Sequence, residues 1–131
     1  MKYHELITTV QDRLELPAQG EAVRATRAVL TPLGERIQPE EANDLASPLP
    51  MEIDRFLRDA DSGQRFSFEE YLGTVSEIED TDTQTARRHA QDVVAIVSEI
   101  VPSGELKQVR AQLPPDFDPL FDHVDEAVFA E

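Results

Sequence analysis

A chain of 131 residues is long enough for one domain with a hydrophobic core and short for two independent ones. It has no cysteine, which excludes disulfides, thiolate metal sites and thiol nucleophiles. Acidic residues outnumber basic ones by 27 to 12, and the formal net charge of -15 disfavours binding to DNA or RNA, whose phosphates are contacted mainly by Lys and Arg.

Apolar residues at helical spacing predict four helices in the first part of the chain. Pro32 lies inside the second of them, where it removes a backbone donor and should kink the helix. Proline and two acids at the start of the third suit a first helical turn. The four predicted helices are Tyr3 to about Leu14, Glu21 to about Ile37, Pro39 to about Pro48, and Met51 to about Arg58.

A polar break at Asp59–Gly63 separates these helices from a second series. Ser67 is predicted to cap the first helix of that series, with Glu70 as its capping-box partner. A long helix should follow from Asp82 or Thr83 to Val101, and Ser103 is predicted to cap the next one. The residues after Pro115 should form one or two short helices.

The two series are similar in sequence. Tyr3-x-x-Leu6-Ile7-x-x-Val10 returns 65 residues later as Phe68-x-x-Tyr71-Leu72-x-x-Val75, and further apolar positions recur at an offset of 64. We therefore predict an all-α fold of two pseudo-repeated halves, about residues 3–57 and 68–121, packed as one bundle-like domain over residues 1–131. Residues 122–130 should form a short helical cap, and a pseudo-two-fold axis should relate the halves.

Four segments in this order also resemble a known family. They are Ala25-Thr26-Arg27-Ala28-Val29-Leu30, Leu45-x-x-x-Leu49-Pro50, the run from Gly63 to Leu72, and Val109-Arg110-Ala111-Gln112-Leu113-Pro114. The chain resembles, from Tyr3 to Phe121, the uncharacterised family called domain of unknown function 2267, found in bacteria and haloarchaea. The resemblance implies a small helical protein of two related halves, and it implies no activity, cofactor or catalytic residue.

The mid-chain loop is a candidate calcium site. Asp59, Asp61 and Glu70 occupy positions one, three and twelve of a window with the spacing of an EF-hand loop. Gly63 falls at position five, where a ligand is needed, and Gln64 stands at position six in place of the turn glycine. A glycine turn followed by a capping box explains the same residues without calcium.

Four arginines are a candidate anion-binding group. Arg24 and Arg88 are equivalent positions of the two repeats, and Arg27 and Arg87 lie beside them. Because basic residues are scarce in this chain, the four could line a pocket between the halves, which would make the protein a small-anion ligand-binding or enzymatic domain. The alternative is that they form ion pairs with carboxylates at the seam between the halves.

No catalytic or cofactor motif occurs: His-Glu-x-x-His, a glycine-rich phosphate loop and Gly-x-Ser-x-Gly are all absent, and His4, His89 and His123 are scattered. These absences favour a non-enzymatic protein without a cofactor that works by protein–protein contact, including self-association. The sequence has no apolar run of membrane-spanning length and no signal-peptide core, so we expect a cytoplasmic protein. Its acidity and low lysine content predict adaptation to a cytoplasm rich in salt.

Overall fold

A computed structural model describes residues 1–130, which form seven α-helices and two short 3-10 helices. The α-helices are α1 (Tyr3–Arg13), α2 (Gln19–Arg36), α3 (Pro39–Ala46), α4 (Met51–Arg58), α5 (Phe68–Glu79), α6 (Thr83–Ser98) and α7 (Ser103–Gln112). The 3-10 helices are η1 (Pro115–Phe121) and η2 (Glu126–Val128). Because residues 1–130 contain no β-strand, the prediction of an all-α fold is confirmed.

Helix ends follow local capping chemistry. Ser67 Oγ accepts a hydrogen bond from the Glu70 amide, and the Glu70 carboxylate accepts one from the Ser67 amide, which confirms the predicted capping box. Asp82 caps α6 by accepting from the Thr85 amide at 2.7 Å. The predicted cap at Ser103 is wrong, because Pro102 holds the cap position and Ser103 is the first helical residue.

The two long helices differ slightly from their predicted bounds. The second begins at Gln19, two residues before the predicted start, and it continues through the buried Pro32. The sixth ends at Ser98, three residues short of Val101. Val101 is still buried, so its apolar position reflects packing beyond the end of the helix.

The core lies between α2 and α6 and the helices that flank them. Helix α2 packs against α1, α4, α5 and α6, and α6 packs in turn against α1, α5 and η1. Tyr71 of α5 is fully buried, and its hydroxyl donates to the carbonyl of Val29 in α2 at 2.8 Å. Phe117 of η1 meets Tyr71 and Phe68, so aromatic contacts join α5 to the end of the chain.

Equivalent apolar positions of the two series are buried alike. The pairs in which both members are buried include Leu6 and Tyr71, Ile7 and Leu72, Val10 and Val75, Ala22 and Ala86, Val29 and Val93, Leu33 and Val97, Ile37 and Val101, Leu45 and Val109, and Leu49 and Leu113. The contact between α1 and α2 corresponds to the contact between α5 and α6. In the same way, the contact between α2 and α5 corresponds to the contact between α6 and α1. The division into two halves related by a pseudo-two-fold axis remains a prediction.

The mid-chain loop is fixed to the C-terminal end of α2. The amide of Gly63 donates to the carbonyl of Ile37 at 2.9 Å, and the amide of Gln64 donates to the carbonyl of Glu35 at 2.8 Å. Gly63 has a φ of +84°, a conformation that glycine adopts without steric cost. These bonds place Arg65 beside the last residue of α2.

In residues 1–130 there is no helix with both the length and the apolar composition needed to cross a membrane.

Candidate functional site

The four predicted arginines lie on the outer faces of the two long helices. All four are exposed, Arg24 and Arg27 on α2 and Arg87 and Arg88 on α6. Among residues 1–130 none of them has a carboxylate partner within 4.0 Å, although the guanidinium of Arg87 lies 5.8 Å from the ring centre of Phe68. The predicted seam of ion pairs is therefore not formed by these side chains.

Arg24 lines a surface cavity of about 300 Å³, together with Leu16, Glu21, Glu79 and Asp80. The other three predicted arginines are not on the wall of that cavity. Three of its five lining residues are acidic, which makes the cavity a poor place for an anion. Binding of an anion by the four arginines together remains a prediction without a shared cavity to support it.

The mid-chain loop keeps its three predicted calcium ligands apart. Asp59 is the C-cap of α4, and Glu70 is engaged in the capping box of α5. Within residues 1–130 the carboxylate oxygens of Asp59, Asp61 and Glu70 do not form a group within 4.8 Å of one another. A convergent oxygen cage is what calcium requires, so the prediction of a calcium site gains nothing from the geometry.

Two histidines pair with acids that the sequence analysis did not connect with them. His123 Nδ1 lies 2.6 Å from Asp92 Oδ1 at the surface. His89 bonds through Nδ1 to the Glu79 carboxylate, and the two side chains are only 5% and 8% exposed. The buried pair was detectable in principle, since Ala86, His89, Ala90 and Val93 follow helical spacing on the core face of α6.

Three carboxylates meet where α3 packs against α7. One oxygen from each of Glu41, Asp44 and Glu105 lies within 4.8 Å of the others. Glu41 and Glu105 are equivalent positions of the repeat, and each has one buried carboxylate oxygen without a partner in residues 1–130. Burial raises the pKa of Glu41, and the charges of Asp44, Glu105 and Glu40 raise it further.

A different pair of arginines shares a cavity. It has a volume of about 310 Å³ and is bounded by Arg36, Gln38, Gly63, Arg65, Gln112, Leu113 and Pro114. We call it the arginine cavity. No acidic residue is among its lining residues, although the chain has 27 acids and 12 basic residues. The sequence analysis missed it because its residues come from the end of α2, the mid-chain loop and the end of α7, which are distant along the chain.

Exposed apolar side chains occur at one end of α4. Met51, its first residue, is 80% exposed, and Met1 is 48% exposed. An open depression of about 530 Å³ is lined by Met1, Lys2, Tyr3, His4, Pro50 and Glu52, and Glu52 also lies on the wall of a neighbouring depression that includes Met51. We call Met1, Tyr3, Pro50 and Met51 the methionine patch.

The structure thus defines an all-helical protein with a closed apolar core and its concave features at the surface. A family model described as "Uncharacterized conserved protein (DUF2267)" matches residues 3–120. The chain belongs to that family, as the resemblance in the sequence indicated. Among curated proteins, none matches the sequence.

Proposed function

We propose that this protein is a non-enzymatic interaction module that binds a partner protein through the methionine patch. The observation that carries the proposal is the 80% exposure of Met51. A large apolar side chain in this position has no packing role within the chain, and burying it against a partner would be favourable. Methionine is also common at binding surfaces because its flexible thioether adapts to the shape of a partner.

The charge of the chain determines the kind of partner that the proposal requires. With a net charge of -15, two copies of this chain repel each other unless salt screens them. A partner that presents an apolar side chain would fill the depression beside Met1 and Tyr3, and Lys or Arg around that side chain could pair directly with Glu52, a contact short enough to persist where salt screens longer-range forces. We therefore propose a different protein with such a basic rim, and not a second copy, as the occupant.

The experiment compares tagged variants in extracts of the organism's own cells at molar KCl. Met51→Glu adds a charge to the patch at a helix start where an acid is compatible with folding. Gln108→Glu is the matched control, because it adds the same charge at an exposed position of α7. A true partner should be captured in stoichiometric amount by the wild type and by Gln108→Glu and lost with Met51→Glu, identified by mass spectrometry.

The purified pair should then show at least about a tenfold weaker affinity for Met51→Glu, the loss expected when one buried methionine contact is removed. Equal capture by Met51→Glu would contradict the role of the patch. If neither the wild type nor either variant captures a protein, the proposal that this chain is an interaction module is wrong. If sedimentation instead shows a dimer of this chain that Met51→Glu dissociates, the occupant is a second copy and the choice of a basic partner is wrong.

A further inference from the structure

We propose that the arginine cavity binds a phosphate group, either free phosphate or the phosphate of a small phosphomonoester. The ligand would lie between the end of α2 and the end of α7, with Arg36 on one side and Arg65 on the other. This site differs from the four arginines considered from the sequence, and it does not depend on the methionine patch.

Arg36 is held in place before any ligand arrives. Its Nε donates to the carbonyl of Phe66 at 2.9 Å. Its guanidinium carbon lies 5.9 Å from the ring centre of Phe66 and 5.5 Å from that of Phe117. Neither terminal nitrogen of Arg36 has an acceptor within residues 1–130. A fixed guanidinium with two unused donors loses little entropy when it binds an oxyanion through its fork.

Gln112 is also held by a hydrogen bond within the chain. Its Oε1 accepts from the backbone amide of Gln38 at 3.2 Å, so its other amide atom, Nε2, is a donor that has no acceptor within residues 1–130. Arg65 adds an exposed guanidinium from the loop that Gly63 and Gln64 fix to α2. Donors therefore approach the cavity from three separate segments of the chain.

The charge around the cavity selects against cations. An arginine without a carboxylate partner means little by itself here, because Arg24, Arg27, Arg87 and Arg88 also have none within residues 1–130. What distinguishes this place is that two arginines and two glutamines line one concave space with no carboxylate among them. A phosphate group offers three terminal oxygens and close to two negative charges, so it can accept from Arg36, Arg65 and Gln112 at once. A carboxylate has only one negative charge and two oxygens in one plane, so it matches two cationic groups and donors from three segments less well than a phosphate group does.

The test is a calorimetric titration of the intact chain with inorganic phosphate in buffered molar KCl, at a mildly alkaline pH above the second pKa of inorganic phosphate, which is higher than that of a phosphomonoester. We expect saturable binding at one site per chain. Arg65→Gln should weaken binding by about tenfold or more, since one charged hydrogen-bonding group is lost. Arg36→Lys keeps the charge and removes the fork, so it should weaken binding by a similar factor. Arg27→Gln removes an equal charge from exposed α2 and should bind phosphate like the wild type.

Circular dichroism of each variant checks that helical content is unchanged. If Arg36→Lys does not fold, Arg65→Gln decides the question alone, because Arg65 is exposed and makes no side-chain hydrogen bond within residues 1–130. Absence of saturable phosphate binding by the wild type would overturn the proposal. So would equal weakening by Arg27→Gln, which would indicate general charge attraction, or equally tight binding of acetate, which would assign the cavity to carboxylates.

Discussion

Glu41 is a side chain whose charge lowers the stability of the fold that contains it. It lies half-buried on α3 with one carboxylate oxygen shielded from solvent and without a partner in residues 1–130. Asp44 on the same helix and Glu105 on α7 are close enough to repel it. Because burial and these neighbours raise the pKa of Glu41, its negative charge is less favourable in the folded chain than in the unfolded chain.

The raised pKa predicts how a substitution at Glu41 should depend on pH. A protonated Glu41 contributes fully to the free energy of unfolding below the ordinary pKa of 4.5. This contribution is lost as the pH rises through the higher pKa of the folded state. Glu41→Gln should therefore raise the melting temperature at neutral pH in low salt, with a gain in unfolding free energy of up to about 1 kcal/mol. The gain should shrink toward zero as the pH is lowered to the ordinary pKa.

Glu40→Gln provides the comparison for Glu41. It removes the same charge from the neighbouring residue, which shares the first turn of α3 and its favourable helix dipole with Glu41 but is exposed. Thermal melts of both variants over the same pH series separate the two effects. An equal gain from Glu40→Gln would attribute the result to overall charge and not to the contact between α3 and α7.

At the scale of helices, Gly34 lies where α2 packs tightly against α4 and the residues that follow it. A Cβ built on Gly34 would lie 2.9 Å from Ala60 Cβ and 3.1 Å from the carbonyl oxygen of Leu57. Alanine is favoured over glycine in a helix by about 1 kcal/mol, but the contact with the backbone of Leu57 cannot relax without moving α4. We expect Gly34→Ala to lower the free energy of unfolding by about 1–3 kcal/mol.

Chemical denaturation of Gly34→Ala beside Gly73→Ala tests this expectation. Gly73 lies within α5, and a Cβ there would meet no atom within 4 Å. The same substitution at Gly73 should therefore stabilise the protein by up to about 1 kcal/mol. Stabilisation by both substitutions would show that α2 and α4 are not in contact as closely as the structure has them.

The helices were predictable because buried faces impose a period on the sequence. The spacing of the buried residues Leu6, Ile7 and Val10 predicts α1. The same spacing at Tyr71, Leu72 and Val75 predicts α5. Ser103 shows the limit of such signals, because a serine before an apolar run resembles an N-cap whether or not the backbone turns there. Pro102 occupies the cap position, so the helix starts at Ser103, one residue earlier than a cap at this serine would place it.

The arginine cavity was not predictable from the same signals. Arg36, Arg65 and Gln112 belong to three segments, and their meeting depends on how α2, the mid-chain loop and α7 pack. Periodicity reports which face of a helix is buried and says nothing about which polar residues of distant segments converge. The pair of His89 and Glu79 was predictable only in part. Helical spacing places His89 on the core face of α6, but nothing in that spacing identifies Glu79 as its partner.

At the scale of the whole molecule, the acidic surface is left largely uncompensated. Arginine and carboxylate side chains form three pairs within residues 1–130, Arg13 with Glu99, Arg58 with Asp54 and Arg110 with Asp118. The sequence contains 27 acids, so most of its carboxylates have no arginine partner within residues 1–130. Their mutual repulsion lowers the stability of the folded state in dilute buffer, and dissolved ions are the means of reducing it.

Stability should therefore rise with KCl. At about 1 M salt the screening length is roughly 3 Å, which removes most repulsion between surface carboxylates. From dilute buffer to molar KCl we expect the melting temperature at neutral pH to increase on the order of 10 °C, the shift that a few kcal/mol produces in a domain of this size.

Scanning calorimetry over a KCl series measures this increase in melting temperature. Repeating the series near pH 4.5, about where free carboxyl groups are half protonated, supplies the control. The salt dependence should be clearly weaker there, because fewer charges remain to be screened. A melting temperature that stays flat with KCl at neutral pH would mean that repulsion does not limit this fold, and the adaptation to high salt inferred from its composition would be wrong.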